Sequence, residues 1–191
     1  FFQNIDDKNL FISERIIDSK VCRLSPGSGV DLDKFAASDL PLSNETTFLL
    51  VARMLWDKGV GEFVEAARII KLRYPNTRFQ LLGPLGVENR SCISNKHMVR
   101  WQKEGVIEYL GETDNVIDYI KKACCVVLPS YREGTSRILL EAASMSRPLI
   151  ATDVPGCREV VEDGITGFLC KSRDSHDLSH KIERMLLLSY D

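Results

Sequence analysis

The sequence predicts an α/β fold, a parallel sheet with helices on both faces, and three observations carry the prediction. Short apolar runs such as residues 123–128 (ACCVVL) lack the alternation of a half-solvated strand and stop at Pro or Gly, as expected of strands covered on both faces. Segments whose apolar residues recur at helical spacing lie between these runs. The two kinds alternate along the chain, an order that pairs strands in parallel through right-handed crossovers.

Taken in order, residues 7–18 predict a helix and 21–24 a short strand. Residues 25–35 (SPGSGVDLDKF) are a turn-rich stretch whose glycines permit a sharp change of direction. After a polar connector over 41–47, residues 47–53 (TFLLVAR) predict the first strand of the main domain. Val60, Phe63, Val64, Ala67 and Ile70 then trace one apolar helix face, which Pro75 helps to end. Residues 79–83 (FQLLG) give the second strand and 83–86 (GPLG) its turn. Residues 87–104 read as a loop and one helix carrying Trp101 and a surface His97, followed by a third strand over 106–111 (VIEYLG) and a short helix starting near Asp114 or Asn115.

The strand at 123–128 leads into a polar loop, and from Thr135 the period changes. Ile138, Leu139, Ala142, Ala143 and Met145 fall at helical spacing, with Thr135 or Ser136 as the N-cap. Residues 147–153 (RPLIATD) predict another buried strand, 154–164 a turn and a short helix, 165–170 (ITGFLC) the last strand and 174–189 a last amphipathic helix. There are no internal repeats.

Composition narrows the function. With 191 residues, 44% of them hydrophobic, the chain is long enough to bury a sizeable core. A net charge of −2 leaves no basic excess, so nucleic acid is not an expected partner. The six cysteines form no Cys-x-x-Cys pair and read as reduced residues of a cytoplasmic protein rather than as disulfides or a metal site. No apolar run approaches the roughly 18 residues a membrane span needs.

The strand-loop-helix at 123–145 concentrates the chemistry. A helix beginning near Thr135 aims unpaired N–H groups and the positive end of its dipole into the loop, where Gly134 lets a ligand approach the backbone, so an anion belongs there. Glu133 precedes the helix and Glu141 lies about two turns into it, on the order of 10 Å away at helical rise. That separation exceeds the roughly 5–9.5 Å of a glycoside-hydrolysing pair and suits the two ends of a nucleotide sugar; the alternative is two solvated charges. Arg53 at the end of the first strand and Lys58 before the next helix are two cations where open α/β sheets bind ligands, and they suit a diphosphate. Otherwise Arg53 pairs with an acidic neighbour and Lys58 is solvated. Gly83 and Gly86 fit either a phosphate-cradling turn or a tight turn needing positive φ.

The stretch REGTSRILLEA, followed by RPLIATDVPGCREVVEDGITGFL and preceded by SPGSGVDLDKF, resembles the C-terminal half of the retaining glycosyltransferases of family 4. The resemblance implies a Rossmann-like domain, one half of a GT-B fold, in which two such domains face across a cleft. Residues 1–24 would be the tail of an N-terminal domain, 25–46 the interdomain linker and connector, and 47–191 the donor-binding domain; alone, this chain is expected to be inactive. Glu133, Arg53 and Lys58 are the implied catalytic residues. Arg53 and Lys58 would hold the donor diphosphate, Glu133 the sugar hydroxyls and Glu141 the ribose hydroxyls, with Gly83, Gly134, Thr135 and Ser136 completing the donor site. The loop 111–116 would line the base pocket.

The implied donor is a nucleoside-diphosphate sugar, UDP-sugar by default. Catalysis is expected to need no metal or other cofactor, and Asp31-x-Asp33, a metal-chelating spacing in another glycosyltransferase fold, here follows a turn and fits the linker. The acceptor would be a glycan or lipid-linked sugar bound through the N-terminal domain, in surface polysaccharide or glycan synthesis, with peripheral contact at the inner face of the cell membrane. Two other readings stay open: a nucleotide-sugar 2-epimerase-like isomerase, and a nucleotide-sugar-binding module without catalysis.

Overall fold

A computed structural model describes residues 1–25, 27–41 and 45–188. The elements run α1 (Ile5–Ser13), β1 (Thr47–Val51), α2 (Val60–Lys71), β2 (Arg78–Leu82), α3 (Asn95–Lys103), β3 (Glu108–Tyr109), α4 (Ile117–Lys122), β4 (Cys125–Leu128), α5 (Arg137–Ser144), β5 (Leu149–Thr152), β6 (Gly167–Cys170) and α6 (Ser175–Leu186). The six strands pair in parallel in the order β3-β2-β1-β4-β5-β6. Successive residues of a strand point to opposite faces, and each face meets its own helices. Phe48, Leu50, Phe79 and Leu81 pack with α2, α3 and α6, whereas Leu49, Val126, Leu128 and Leu149 pack with α4 and α5.

This order places the ligand crevice. The chain lays β2 and β3 to one side of β1 and then returns to place β4 on the other, so the connections leaving β1 and β4 diverge to opposite faces. The space above their C-terminal ends is the topological switch point at which open α/β sheets bind ligands.

Several expected elements are corrected. The first helix is α1, five residues short of Asp18, because Arg15 turns into the left-handed region (φ 55°) and ends it. No strand forms over 21–24; a single 3-10 turn at Ser19–Val21 precedes one isolated bridge between Leu24 and Phe2. The third strand shrinks to two residues at the sheet edge, since β3 has only β2 to pair with. No helix forms over 154–164, where Val154 and Cys157 carry turn hydrogen bonds instead. His97 is half-buried rather than a free surface residue, packed 5.4 Å from the ring of Trp56 and 5.7 Å from that of Trp101. All six cysteines are free, and all except the half-buried Cys92 are buried. The connector over 41–47 and the end of the last helix at Ser189 fall partly outside the described residues.

The connector before the domain is tied down from below. Arg147, 2% exposed, donates to the carbonyls of Met145 (3.1 Å) and Asp39 (2.6 Å) and to Ser38 Oγ (2.9 Å), with a further bond to the Ser38 carbonyl. A fully buried guanidinium is stable only when its donors are used, and here backbone carbonyls use them.

Candidate functional site

Two loops meet at the switch point. The loop leaving β1 carries Lys58 and the loop leaving β4 carries Glu133, and Lys58 Nζ lies 2.6 Å from Glu133 Oε1 with the two side chains 21% and 14% exposed. The loops are locked backbone to backbone. Gly59 (φ 71°) sits so close to Pro129 that a Cβ would fall 2.0 Å from its carbonyl oxygen. The Tyr131 amide donates to the Asp57 carbonyl (2.9 Å) and the Tyr131 hydroxyl to Glu62 Oε1 on α2 (2.6 Å). Burial and the neighbouring Glu62 carboxylate together push the Tyr131 phenol far above its ordinary value, so it stays a donor.

The helix after Glu133 begins two residues later than Thr135. Ser136 occupies the N-cap position, but its side chain makes no capping bond, and its amide donates to the Gly156 carbonyl at 3.0 Å. The amides of Gly134, Thr135, Arg137, Ile138 and Leu139 have no acceptor among the described residues. They form a cluster of donors at the positive end of α5, beside Lys58 and Glu133, and such a cluster attracts an anion. With α5 starting at Arg137, Glu141 lies little more than one turn in, not two.

Other expected site residues differ in detail. At Gly134 a Cβ would fall 2.1 Å from Gln3 Oε1, the end of a flexible side chain, so no rigid neighbour demands glycine there. Gly83 (φ 138°) is fixed by Ala52, whose carbonyl oxygen would lie 2.0 Å from its Cβ, and its amide is spent on the Gly111 carbonyl at 2.7 Å. Its N–H therefore cannot cradle a phosphate. Arg53 is exposed and forms no ion pair among the described residues, so it has no acidic neighbour to neutralise it. Glu141 is mostly buried, with Arg137 Nη2 3.3 Å from Oε1. Burial raises its carboxyl above its ordinary value, opposed by Arg137 and by Lys34. Asp31 accepts from the amides of Asp33 (3.1 Å) and Lys34 (3.0 Å), closing a turn.

A concavity of about 320 Å³ opens beside the ends of β1 and β2, lined by Val51, Leu82, Gly83, Glu112, Thr113 and Val116 among others. This brings Gly83 together with the loop 111–116. A larger one of about 380 Å³ lies at the opposite end of β5 and β6, against Arg147 and Phe168, away from the cations and carboxylates. The smaller one is the relevant cavity because it adjoins the switch point.

Sequence reading missed Asn4. Its side chain is 3% exposed, caps α1 by accepting from the Asp7 amide (2.7 Å), and donates to the Gly134 carbonyl (3.2 Å). Asn followed three residues later by Asp signals a helix start, but nothing local signals the second bond, 130 residues away.

The sequence pattern of the family described as glycosyl transferases group 1 matches residues 45–187. The chain belongs to this family. Among curated group 1 relatives, it is 30% identical over 181 residues to the N,N'-diacetylbacillosaminyl-diphospho-undecaprenol alpha-1,3-N-acetylgalactosaminyltransferase of Campylobacter jejuni, with 88% of this chain and 46% of that protein aligned. It is 27% identical to the capsular polysaccharide biosynthesis glycosyltransferase CapM of Staphylococcus aureus, over 88% of this chain and 47% of the relative. The chain thus spans about half the length of the curated relatives it matches. Anabaena HepE, solved in complex with UDP, superimposes with a TM-score of 0.81 at 18% identity over 97% of this chain and 53% of its own. A glycosyltransferase from Rickettsia africae does so with a TM-score of 0.79 at 21% identity, over 96% and 52%. The fold is the Rossmann-like C-terminal domain of a GT-B glycosyltransferase.

Proposed function

We propose that this chain is the donor-binding half of a retaining family 4 glycosyltransferase that moves a sugar from a nucleoside diphosphate, UDP by preference, to an acceptor hydroxyl without a metal. The observation that carries the proposal is the meeting of Lys58, Glu133 and the unpaired amides from Gly134 to Leu139 at the switch point. Breaking the bond between the anomeric carbon and the diphosphate oxygen leaves negative charge on the diphosphate. Lys58, Arg53 and those amides would stabilise that charge more in the transition state than in the ground state, which is what raises rate. Cations and helix-end donors together do electrostatically what a metal does on other scaffolds.

Glu133 orients the sugar hydroxyls in this reading and Glu141 those of the ribose, while the base sits in the concavity bounded by Gly83 and the loop 111–116. UDP is favoured because HepE was solved with UDP and the chain shares its fold. The name of the Campylobacter relative supports a lipid-linked acceptor and that of the Staphylococcus relative a role in polysaccharide synthesis; in this reading the acceptor is bound by an N-terminal domain and the reaction runs at the cytoplasmic face of the membrane. Among the described residues no helix is long and apolar enough to cross a membrane.

The test is calorimetric titration of the chain with UDP and with GDP, without divalent metal, beside an Arg53→Ala, Lys58→Ala double variant. Saturable binding of UDP that the double variant loses is the expected result. Binding that requires added metal, or that survives loss of both cations, would refute the placement of the diphosphate.

A further inference from the structure

Glu133 is bracketed from both sides by the first turn of α1. On one side Arg132 pairs with Asp7 Oδ1; on the other the Gly134 carbonyl accepts from Asn4 Nδ2 at 3.2 Å. Asn4 and Asp7 are themselves joined, since Asn4 Nδ2 donates to Asp7 Oδ2 (3.1 Å) and Asn4 Oδ1 accepts from the Asp7 amide (2.7 Å). These contacts fix which way the Asn4 amide faces: flipped, its oxygen would meet two acceptors and its NH₂ a donor. Thr135 Oγ1 adds a longer bond to the Gln3 carbonyl at 3.4 Å. Residues 1–7 thus touch the Glu133 loop at three points, although the resemblance allots them to a different domain.

One of these contacts aims a donor. The peptide between Gly134 and Thr135 is trans, so its carbonyl and its N–H point in opposite directions. Holding the Gly134 oxygen against Asn4 turns the Thr135 N–H the other way, and that N–H has no acceptor among the described residues. Glycine has wide backbone freedom, so without the Asn4 bond this peptide plane could rotate and remove the Thr135 donor from the cluster. Asn4 is buried and fully engaged, which makes it a rigid reference for that plane.

We infer that Asn4 is a positioning residue of the donor site: by binding the Gly134 carbonyl it holds the Thr135 N–H toward the diphosphate and, with Asp7 and Arg132, sets the loop that carries Glu133. The inference rests on the reading of this site as a nucleoside-diphosphate site. It makes anion affinity depend on a residue that touches no part of the donor.

Two variants test it. Asn4→Ser keeps a side-chain oxygen to cap α1 but is too short and has the wrong donor geometry for Gly134. Asn4→Asp combined with Asp7→Asn keeps the cap and a bond between positions 4 and 7, removes the donation to Gly134 and weakens the ion pair with Arg132, whose share is read from Asp7→Asn alone. In each, UDP affinity by calorimetry should fall roughly tenfold, the scale of one hydrogen bond to a charged group, while affinity for uridine, which lacks the phosphates, should hold within about twofold. Exchange of the Ser136 amide, the hydrogen-bonded one of this loop, should quicken in the ligand-free protein as the loop loosens. Parallel losses of UDP and uridine affinity would reduce Asn4 to a structural residue and overturn the inference, as would unchanged exchange at Ser136. If the wild-type chain binds no nucleoside diphosphate, the functional reading fails, and the ligand-free exchange still decides whether Asn4 holds the peptide.

Discussion

Lys58 and Glu133 approach to 2.6 Å across 75 residues of sequence, each on the loop that leaves one of the two central strands. The pair spans the crevice, and its members have opposite effects on an anion. The cation attracts a diphosphate; the carboxylate repels it and partly neutralises the cation.

Replacing Glu133 by Gln should therefore separate two functions. UDP affinity should hold or rise by a few-fold, because Lys58 is released from its carboxylate, whereas sugar transfer by the full-length enzyme should fall roughly a hundredfold through lost orientation of the donor sugar. Calorimetry and steady-state kinetics on the same variant check it. A large loss of UDP affinity would contradict the sugar-end role.

Glu141 links stability and binding with opposite signs. Its carboxyl is raised by burial, so the folded state holds that proton more tightly than the unfolded chain. Stability from this group is then lost as pH climbs from the unfolded value through the higher folded one, and ionised Glu141 is a strained presence at neutral pH. Glu141→Gln should raise Tm at pH 7 and leave it unchanged near pH 4. If Glu141 binds ribose, the same change should weaken UDP roughly ten- to a hundredfold, and in the wild type UDP affinity should fall as pH drops through the raised value. Thermal melts and titrations at several pH values decide both halves.

The glycines around the site divide by what stands where a Cβ would go. Gly59→Ala drives a methyl into the Pro129 backbone at a positive φ and should cost about 3 kcal/mol while prising Lys58 from Glu133. Gly134→Ala meets only the end of the Gln3 side chain, which is free to swing away, and should cost less than about 1 kcal/mol. Urea unfolding of the two variants measures the contrast.

Arg147→Met should destabilise the domain by about 3 kcal/mol, since it removes a buried guanidinium that bonds several backbone carbonyls at once. It lies at the far end of the strands from Lys58, so UDP affinity of the folded fraction should not change. A shift in urea midpoint with an unaltered dissociation constant is the expected result.

What the sequence made legible follows from which forces are local. Val60, Phe63, Val64, Ala67 and Ile70 all turn inward on α2, because a helix face facing a sheet writes its period into the sequence. The strands from 47 and from 123 read as buried runs because both their faces are covered. Termini were harder: residues 16 and 17 carry on an apolar pattern past the point where Arg15 breaks α1, and β3 has too few neighbours to extend to its apolar limits. At the site, Lys58 and Glu133 were identified one by one, from strand ends and resemblance, but their contact is tertiary. The commitments of the Gly83 and Ser136 amides, and the reach of Asn4 to Gly134, depend on loops that no periodicity describes.

The cysteines give the chain a ready-made reporter. Burial pushes the thiols of Cys157 and Cys170 up to about 12 and that of Cys125 well above its ordinary value, so they stay protonated and slow toward electrophiles. Cys92 alone is half open, and its backbone bridges to Leu55, three residues before Lys58. A maleimide dye added to the unmodified protein should therefore settle at one place, on the shoulder of the loop that carries Lys58, and turn occupancy of the crevice into a change in fluorescence.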